Sequence, residues 1–248
     1  MNLGQHFLED EAIVSRIVEY ADLGPKDWVL EIGPGPGNLT AALAAKAEEV
    51  YAVEIDPELA AQLSGRFSNV QVIAGDALKV ELPACNKIVS NLPYHISSSL
   101  TYRLLSRPFE MAVLMYQWEF ARRLKAAPGS EDYGRLAMTA GFFCQAEILE
   151  KVSKMAFRPV PQVDSAIVRL LPRKDRPAGD AVELIRLAQG LFNNRRKKVK
   201  KGLASLGARG PDLAGMDQDL LEKRPEQLSP DEAASLVGAI SRKRQSLK

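Results

Sequence analysis

Residues 28–38 read WVLEIGPGPGN. The first five, Trp28 to Ile32, form a short apolar run of the kind found in a buried parallel strand. Residues 33–37 alternate glycine with proline, and a helical pattern begins at Asn38. Glycines let the backbone approach a ligand closely, and the next helix offers unpaired N–H groups. The stretch therefore predicts a strand, a ligand-binding turn and a helix at the start of an α/β fold.

Strands and helices alternate along the first two thirds of the chain. The runs with the length and composition of strands are residues 28–32, 49–55, 70–74, 87–90, 111–116, 146–152 and 165–171. Helical patterns alternate with most of these runs, which implies a parallel sheet with helices on both faces. The last two runs have no helix between them and are expected to pair antiparallel at one edge. The predicted fold class is α/β, Rossmann-like, with a seven-stranded, mostly parallel sheet.

The C-terminal part of the chain has a different composition. Residues 172–179 are charged and contain proline and glycine, as a linker does, and only helical patterns follow. Residues 1–167 carry 15 Lys and Arg against 21 Asp and Glu, whereas residues 168–248 carry 18 against 10. We therefore predict one domain over residues 1–174 and a small basic α-helical domain over residues 175–248. A basic tail suits a polyanion, although a charge run is more often a solvated helix face.

The composition argues against a membrane protein or a metalloprotein. The 248 residues contain no apolar run that approaches the ~20 residues of a membrane span. Cys85 and Cys144 are not closely spaced, and His6 and His95 are the only histidines, so no metal centre or disulfide is expected. The start of the chain lacks the pattern of a signal peptide. We expect a cytoplasmic protein.

Acidic residues stand at the ends of three successive predicted strands. Glu54 follows the glycine turn by roughly 20 residues, the usual place for a carboxylate that binds ribose hydroxyls, and that pattern alone would permit NAD. Glu31 precedes the glycines and Asp76 ends the third strand. Three acids with no Arg or Lys near the glycines favour a cationic sulfonium, S-adenosylmethionine, over a pyrophosphate. Taken singly, Glu54 could be a solvated acid and Asp76 the cap of a turn.

A second motif follows the fourth predicted strand. Residues 91–94 are Asn91, Leu92, Pro93 and Tyr94, here called the tetrapeptide. The amide oxygen can accept a hydrogen bond from an amino group, the aromatic ring can stack on a flat ligand, and proline fixes the backbone between them. The tetrapeptide is therefore the candidate reaction site beside the cofactor.

Taken in order, these motifs resemble a known family, the ribosomal RNA adenine N6,N6-dimethyltransferases. The segments that carry the resemblance are residues 2–8, 31–37, 54, 75–77, 91–94, 133–136 and 157–166. The resemblance covers about the first 170 residues closely and the basic tail more loosely. His6 is similar to archaeal and eukaryotic members, since bacterial members commonly have asparagine there.

The resemblance implies a class I methyltransferase fold, S-adenosylmethionine as donor, and two adjacent adenines near the 3′ end of small-subunit rRNA as target. It makes residues 1–174 the catalytic domain and residues 175–248 the RNA-contacting domain. The implied cofactor-binding residues are Gln5, His6, Leu8, Glu31, Gly33, Gly35, Gly37, Glu54, Ile55, Asp76, Ala77 and Asn91. The implied catalytic residues are Asn91, Leu92, Pro93, Tyr94 and Phe157.

The chemistry of an adenine amine explains why these residue types are suitable. Its lone pair is delocalised into the ring, so the site must favour a tetrahedral nitrogen. The side-chain oxygen of Asn91 can accept one N–H, and the carbonyl of Leu92 or Pro93 can accept the other. Tyr94 is expected to stack on the base and Phe157 to close its other face. The alternative for Phe157 is a core aromatic beside a proline-rich loop.

Basic residues supply the expected contact with RNA. They are Arg122, Arg123, Arg195, Arg196, Lys197, Lys198, Lys200 and Lys201. Such charges bind phosphates and position RNA without reading its sequence. The expected partner is small-subunit rRNA or the small ribosomal subunit before its maturation, and the protein is expected to be a monomer.

Three alternative functions stay open at this point. DNA adenine methylases often carry Asp-Pro-Pro-Tyr in place of the tetrapeptide. Methylases of large-subunit rRNA usually have isoleucine at the position of Leu92. An RNA-binding assembly factor that does not need catalysis would be expected to lose Glu31, Glu54, Asp76 or Asn91, and all four are present.

Overall fold

The computed structural model describes residues 6–176, 180–208 and 210–241. They divide into two compact units, of which unit 1 comprises Met1–Ala121 with Ala146–Pro172, and unit 2 comprises Arg122–Gln145 with Arg173–Lys248. Gln5, one of the predicted cofactor-binding residues, lies outside the described residues.

Nine strands and eleven α-helices occur in the described chain. The strands are β1 (Phe7–Leu8), β2 (Trp28–Ile32), β3 (Glu49–Glu54), β4 (Val70–Ala74), β5 (Lys87–Asn91), β6 (Met111–Gln117), β7 (Cys144–Val152), β8 (Phe157–Arg158) and β9 (Ser165–Pro172). The helices are α1 (Glu11–Tyr20), α2 (Asn38–Ala44), α3 (Pro57–Leu63), α4 (Ser97–Leu105), α5 (Trp118–Lys125), α6 (Arg135–Phe143), α7 (Ala181–Asn193), α8 (Val199–Ser205), α9 (Gly210–Ala214), α10 (Gln218–Glu222) and α11 (Pro230–Ser241).

A seven-stranded sheet forms the centre of the fold, in the order β4-β3-β2-β5-β6-β9-β7. The strands from β4 to β6 are parallel, and β9 enters between β6 and β7, antiparallel to β6. All seven predicted strands are present, and the predicted α/β class with a mostly parallel sheet is confirmed. The central strands β2, β5 and β6 are buried along nearly their whole length, as expected for a sheet covered on both faces.

Local sequence explains where the helices of unit 1 begin. The side chain of Asp10 accepts hydrogen bonds from the backbone of Ala12 and Ile13 and so caps α1. Pro57 is the first residue of α3, where its missing N–H costs nothing. Helix α3 ends at Leu63, two residues before Gly65, whose positive φ of 74° does not fit a helix.

The register of the parallel strands brings their carboxyl ends to one edge. Ile32 is opposite Val53, Glu54 is opposite Ala74, and Asn91 is opposite Met115. The loops that follow β2, β3, β4 and β5 therefore meet at this edge, where ligands of open α/β sheets bind.

A two-stranded pair that the sequence did not predict joins distant parts of unit 1. Strand β1 pairs antiparallel with β8, so that Phe7 is opposite Arg158 and Leu8 is opposite Phe157. Strands of two residues show no periodicity, which is why pattern reasoning misses them. The pair attaches the first motif of the chain to the loop after β7.

Unit 2 is mainly helical and contains a buried hydrogen bond between a tyrosine side chain and the main chain. The hydroxyl of Tyr133 donates to the Leu228 carbonyl at 2.8 Å, and burial raises the pKa of this tyrosine. Helix α6 packs on α7 and α11. Residues 122–145 therefore group with the C-terminal helices, although they precede the expected boundary at residue 174. The division of labour between residues 1–174 and 175–248 stays a prediction.

The described residues contain neither a membrane-spanning helix nor a cluster of metal-binding side chains. None of the described helices is both long and apolar enough to cross a membrane. Within the same residues, no group of three or more His, Cys, Asp or Glu side chains is arranged to hold a metal ion.

Candidate active site

A cavity of about 250 Å³ lies at the carboxyl edge of the sheet in unit 1. It is bounded by the glycine turn, the three strand-end acids and the tetrapeptide. Ten of the twelve predicted cofactor-binding residues line it, namely His6, Leu8, Glu31, Gly33, Gly35, Glu54, Ile55, Asp76, Ala77 and Asn91. Tertiary folding thus brings together residues that are up to 85 positions apart, and their roles in binding stay predictions.

The glycine turn is shaped by backbone angles that other residues rarely adopt. Gly33 and Gly35 have φ values of 71° and 57°. A Cβ atom on Gly35 would lie 2.7 Å from the ring of Phe7, which lines the same cavity. Gly37 does not line the cavity; it precedes α2 with a φ of 89° and packs against Leu63. Its place in the motif is therefore structural in this arrangement.

Glu54, the last residue of β3, is hydrogen-bonded to the glycine turn. The residue is only 1% exposed, and its two carboxylate oxygens accept the backbone N–H groups of Gly35 at 3.0 Å and Asp56 at 2.9 Å. Each oxygen of a carboxylate has a second lone pair. Glu54 can therefore shape the turn and still accept hydrogen bonds from hydroxyl groups of a ligand.

Glu31 is a buried carboxyl group in the wall of the cavity. Burial raises its pKa to about 8, the neighbouring Thr40 hydroxyl opposes this rise, and the charge of Glu54 adds to it. Near neutral pH the free protein therefore holds Glu31 largely protonated. A cation in the cavity would favour its ionised form.

Replacing Glu31 with glutamine should raise the unfolding free energy of the cofactor-free protein, by about 3 kcal/mol at pH 7. The folded-state pKa of about 8 lies above the ordinary value of 4.5. The contribution of this group to stability is therefore complete below the unfolded pKa and is lost as the pH rises through the folded pKa. Urea unfolding of both proteins between pH 5 and pH 8 measures this, and the gap should widen with pH. A gap that does not change with pH would contradict it.

Asp76 is an ionised acid in the loop that follows β4. Its side chain accepts the Leu78 backbone N–H at 2.9 Å and pairs with Lys79 at 3.3 Å, and these contacts hold its pKa below the usual value. Arg103 donates to the carbonyl of Ala77 at 2.7 Å and so fixes the loop from the other side. These contacts hold the loop in place, and the carboxylate oxygens can still accept a hydrogen bond from a ligand.

Asn91 presents an acceptor with no partner. Its Oδ1 is buried and makes no hydrogen bond within the described part of the chain, while its Nδ2 donates to the His6 carbonyl at a long 3.4 Å. A buried polar atom without a partner is costly and is usually satisfied by a ligand or water. The cavity therefore contains an acceptor placed for a donor that the chain does not supply.

The Pro93 carbonyl is already engaged within the turn. It accepts the backbone N–H of Ile96 at 3.2 Å and the hydroxyl of Ser97 at 3.1 Å. A carbonyl oxygen has two lone pairs, and both are used here. Of the two carbonyls that the sequence left open, this favours Leu92 as the acceptor for a ligand.

Tyr94 is held by groups from a distant strand. Its hydroxyl lies 2.6 Å from Ser165 Oγ, and burial raises the pKa of this tyrosine. The ring of Phe157 meets it edge-on at 6.5 Å, and the ring of His6 lies 6.0 Å away at a tilt of 31°. Phe157 is fully buried in the core and does not line the cavity. In this conformation Phe157 supports Tyr94, and its stacking on a base stays a prediction.

Sequence reasoning missed three residues that shape the site. Phe7 packs under Gly35, Asn38 donates to the Leu8 carbonyl at 2.9 Å, and Ser165 holds Tyr94. Phe7 and Ser165 lie within the quoted family segments, so their positions were a usable signal. Asn38 was recognised as a polar residue at the start of a helix, but the sequence did not indicate that its side chain also contacts the Leu8 carbonyl.

Comparison with known proteins identifies the family. The model of the ribosomal RNA adenine dimethylase family matches residues 1–237. The chain belongs to this family. A probable ribosomal RNA small subunit methyltransferase A of Methanosarcina mazei is 45% identical over 95% of this chain and 91% of its own. A protein of the same name from Methanothermobacter thermautotrophicus is 46% identical over 96% and 90%. Both relatives are archaeal, in agreement with the prediction from His6.

Solved structures of the same type agree over the whole chain. A dimethyladenosine transferase from Plasmodium falciparum has a TM-score of 0.83 and 29% identity, covering 96% of this chain and 98% of its own. A 23S rRNA methyltransferase has a TM-score of 0.66 and 31% identity, covering 95% and 99%. This rRNA adenine dimethyltransferase is therefore an enzyme of the methyltransferase class, and its donor is S-adenosylmethionine.

The residues of this dimethyltransferase fit that donor. A Cβ on Gly35 would meet the Phe7 ring at 2.7 Å and one on Gly33 would meet Pro93 at 3.1 Å, so the turn keeps its shape only with glycine at both positions. Glu31, Glu54 and Asp76 line the cavity with carboxyl oxygens, which suit a ligand that carries a cationic group and hydroxyl groups. Among the described residues, no Arg or Lys side chain lines the cavity, in keeping with a ligand that carries no phosphate.

The predicted RNA-binding residues differ in how they are neutralised within unit 2. Arg195 pairs with Glu226 at 3.1 Å, and Lys198 and Lys200 both pair with Glu222, whose pKa they lower to about 2. Arg122 pairs with Asp132 at 2.6 Å. Four others are exposed and form no ion pair within the described residues: Arg123, Arg196, Lys197 and Lys201. The net positive charge available to a polyanion is thus smaller than the sequence suggested.

Proposed function

We propose that this enzyme dimethylates N6 of two adjacent adenines near the 3′ end of small-subunit rRNA during ribosome biogenesis. The observation that carries the chemistry is the buried, unpartnered Oδ1 of Asn91 in the wall of the donor cavity. The choice of small-subunit rRNA is supported by the archaeal relatives, which carry that name at about 45% identity. The enzyme is proposed to act in the cytoplasm as a monomer, on the small subunit before its maturation.

Two acceptors direct the target amine. Asn91 Oδ1 accepts one N–H, and the Leu92 carbonyl accepts the other, because the Pro93 carbonyl is occupied by Ile96 and Ser97. Acceptors on both N–H bonds favour a tetrahedral nitrogen over the planar ground state, which is differential binding of the transition state. The donor, when bound, supplies a methyl group on a cationic sulfur with a good leaving group.

Tyr94 orients the base, and the acids orient the donor. The Tyr94 ring, fixed by Ser165, offers a face on which adenine stacks after it leaves the RNA helix. Glu54 is proposed to bind ribose hydroxyls and Asp76 the adenine amino group of the donor. Holding both reactants in one geometry supplies much of the rate enhancement in such a transfer.

The choice of substrate is tested by offering several nucleic acids together with labelled S-adenosylmethionine. The substrates are small subunits that lack the modification, naked small-subunit rRNA, large-subunit rRNA and duplex DNA. Dimethyladenine near the 3′ end of small-subunit rRNA supports the proposal. Label confined to large-subunit rRNA or to DNA would overturn it.

Large-subunit rRNA is the second candidate because of one likeness. The 23S rRNA methyltransferase is 31% identical over nearly the whole chain. Against it stand Leu92, where that branch usually has isoleucine, and the higher identity to the small-subunit relatives. The third candidate, an assembly factor without catalysis, is disfavoured because Glu31, Glu54, Asp76 and Asn91 all line one cavity.

The C-terminal residues 175–248 are proposed to contact RNA phosphates, with residues 1–174 as the catalytic domain. Two matched sets of three cations allow a test. The exposed set comprises Arg196, Lys197 and Lys201, and the paired set comprises Arg195, Lys198 and Lys200.

Replacing the exposed set with glutamine is expected to weaken RNA binding and to reduce the slope of log K against log salt by about 2. The paired set, also replaced with glutamine, should reduce the slope by less, because its charges are already engaged by Glu222 and Glu226. Filter binding at several salt concentrations measures the slope. Equal slopes for both variants would contradict this division, and a loss of S-adenosylmethionine affinity would contradict separate binding surfaces.

A further inference from the structure

A chain of buried hydroxyl groups reaches the tetrapeptide from the neighbouring strand. Ser97 Oγ donates to the Pro93 carbonyl at 3.1 Å, and Thr101 Oγ1 donates to the Ser97 carbonyl at 2.7 Å. Tyr116 lies with its hydroxyl 2.9 Å from Thr101 Oγ1. The single hydroxyl proton of Thr101 is used on Ser97, so Tyr116 donates to Thr101. The contacts therefore run from β6 to α4 and on to the tetrapeptide, and Ser97 joins them by accepting at its main-chain carbonyl and donating from its hydroxyl.

The side chains of all three hydroxyl residues are buried. Ser97 is 4% exposed, and Thr101 and Tyr116 are not exposed at all. A hydroxyl in such a place is stable only when it is hydrogen-bonded, and removal of one partner leaves the other unsatisfied. The ring of Tyr116 is also stacked on Phe120 at 4.8 Å, which limits its movement. The network is thus well defined at its far end.

The network ends at the peptide group that follows the proposed acceptor. Pro93 has φ −58° and ψ 121°, and its carbonyl is fixed by Ser97 and Ile96. Because the proline ring restricts φ, fixing this carbonyl also restricts the orientation of the preceding peptide group, which carries the Leu92 oxygen. Tyr116 lies on β6, the strand paired with β5, which ends at Asn91. Strand β5 therefore carries Asn91 and leads directly to Leu92, and the neighbouring strand β6 carries the tyrosine at the far end of the network.

We propose that Ser97, Thr101 and Tyr116 are positioning residues that hold the Pro93 carbonyl away from the substrate and direct the Leu92 carbonyl at the target amine. The inference rests on the proposed function, since it assigns a role within that reaction. None of the three residues lines the cavity, so their effect on catalysis passes through the tetrapeptide backbone.

The test uses the full chain and isosteric substitutions. Ser97→Ala is expected to lower the single-turnover rate of methyl transfer by about 10- to 100-fold at saturating RNA and donor. Thr101→Val is expected to lower it by a similar factor and Tyr116→Phe by about 3- to 10-fold, since it acts one bond further away. The Kd of S-adenosylmethionine, measured by calorimetry, should change by less than about 3-fold. Ser97→Thr, which keeps the hydroxyl, should restore the rate to within about 3-fold of the original protein.

A matched control comes from the other end of the same helix. Ser106 follows α4 and donates to the Arg103 carbonyl at 2.8 Å, so Ser106→Ala removes the same kind of bond away from the tetrapeptide. It should leave the rate unchanged. Tyr116→Phe in the Thr101→Val background should add no further loss, because both act through one contact.

The outcomes separate this inference from the proposed function. An original protein that methylates none of the RNA substrates overturns the proposed function and the network role with it. An active original protein with an unaffected Ser97→Ala rate overturns the network alone. Equal losses in rate, donor affinity and Tm would also overturn it, because they indicate general damage. If Ser97→Ala does not fold cooperatively, Tyr116→Phe, which keeps the ring, decides by the same criteria.

Discussion

Replacing Asn91 with alanine is expected to lower kcat by about 100- to 1,000-fold, equivalent to about 3–4 kcal/mol of transition-state stabilisation. The buried Oδ1 is the side-chain acceptor of the tetrapeptide that has no partner within the described residues, and without it one N–H of the target amine has no acceptor to favour a tetrahedral nitrogen. The loss should fall on kcat more than on S-adenosylmethionine affinity, because the interaction strengthens as the nitrogen becomes tetrahedral. Rates at saturating donor and RNA, together with calorimetric Kd values, measure the two effects.

Two further substitutions distinguish an acceptor role from a packing role. Asn91→Asp keeps an acceptor oxygen in place and should retain more activity than Asn91→Ala. Asn69 also holds backbone carbonyls in unit 1, at Ala44 and Ala47, but does not line the cavity, so Asn69→Ala should affect stability and leave kcat intact. Equal activity in the aspartate and alanine variants would count against the acceptor role.

Replacing Gly35 with alanine is expected to lower S-adenosylmethionine affinity by about 100-fold and the unfolding free energy by about 2–4 kcal/mol. The φ of 57° strains any residue with a side chain. In addition, the new Cβ would lie 2.7 Å from the ring of Phe7, which must move. Phe7 lines the cavity and is anchored by pairing of β1 with β8, so its movement changes the shape of the cofactor site.

Substitution of a second glycine distinguishes the effect of backbone strain from that of the steric clash with Phe7. Gly65 has a φ of 74°, and a Cβ there would meet nothing within 4 Å, so Gly65→Ala carries the backbone strain alone. It should lower stability by about 1 kcal/mol and leave donor affinity unchanged. Phe7→Leu in the Gly35→Ala background should recover part of the affinity. If both glycine variants lose affinity equally, the collision with Phe7 is not the cause.

Much of the fold could be read from the sequence because its signals are local. The apolar runs and the glycine turn after β2 each depend on a few neighbouring residues, and each is present where it was predicted. The ends of elements such as α3 depend on where a single glycine turns the chain. The pair of β1 with β8 has no local signal at all, since its partners are 149 and 151 positions apart.

The candidate site was predictable in its membership but not in its details. Parallel strands end at one edge, so acids and amides at strand ends could be expected to meet, and Glu31, Glu54, Asp76 and Asn91 do so. The sequence could not tell which carbonyl of the tetrapeptide is occupied, because that depends on the approach of Ser97. Nor could it tell that Phe157 is fully buried behind Tyr94.

The α/β fold, the glycine turn and the family could be inferred from the sequence alone, since they follow from short motifs in a fixed order. Which polar atoms have partners is a property of the folded chain. Asn91 Oδ1 has none in the described chain, the Pro93 carbonyl has two, and Glu222 engages two of the basic residues. A hydrogen bond or ion pair depends on distances of about 3 Å between groups that folding brings together. Composition gives the number of charges, whereas only folding determines how many remain for RNA.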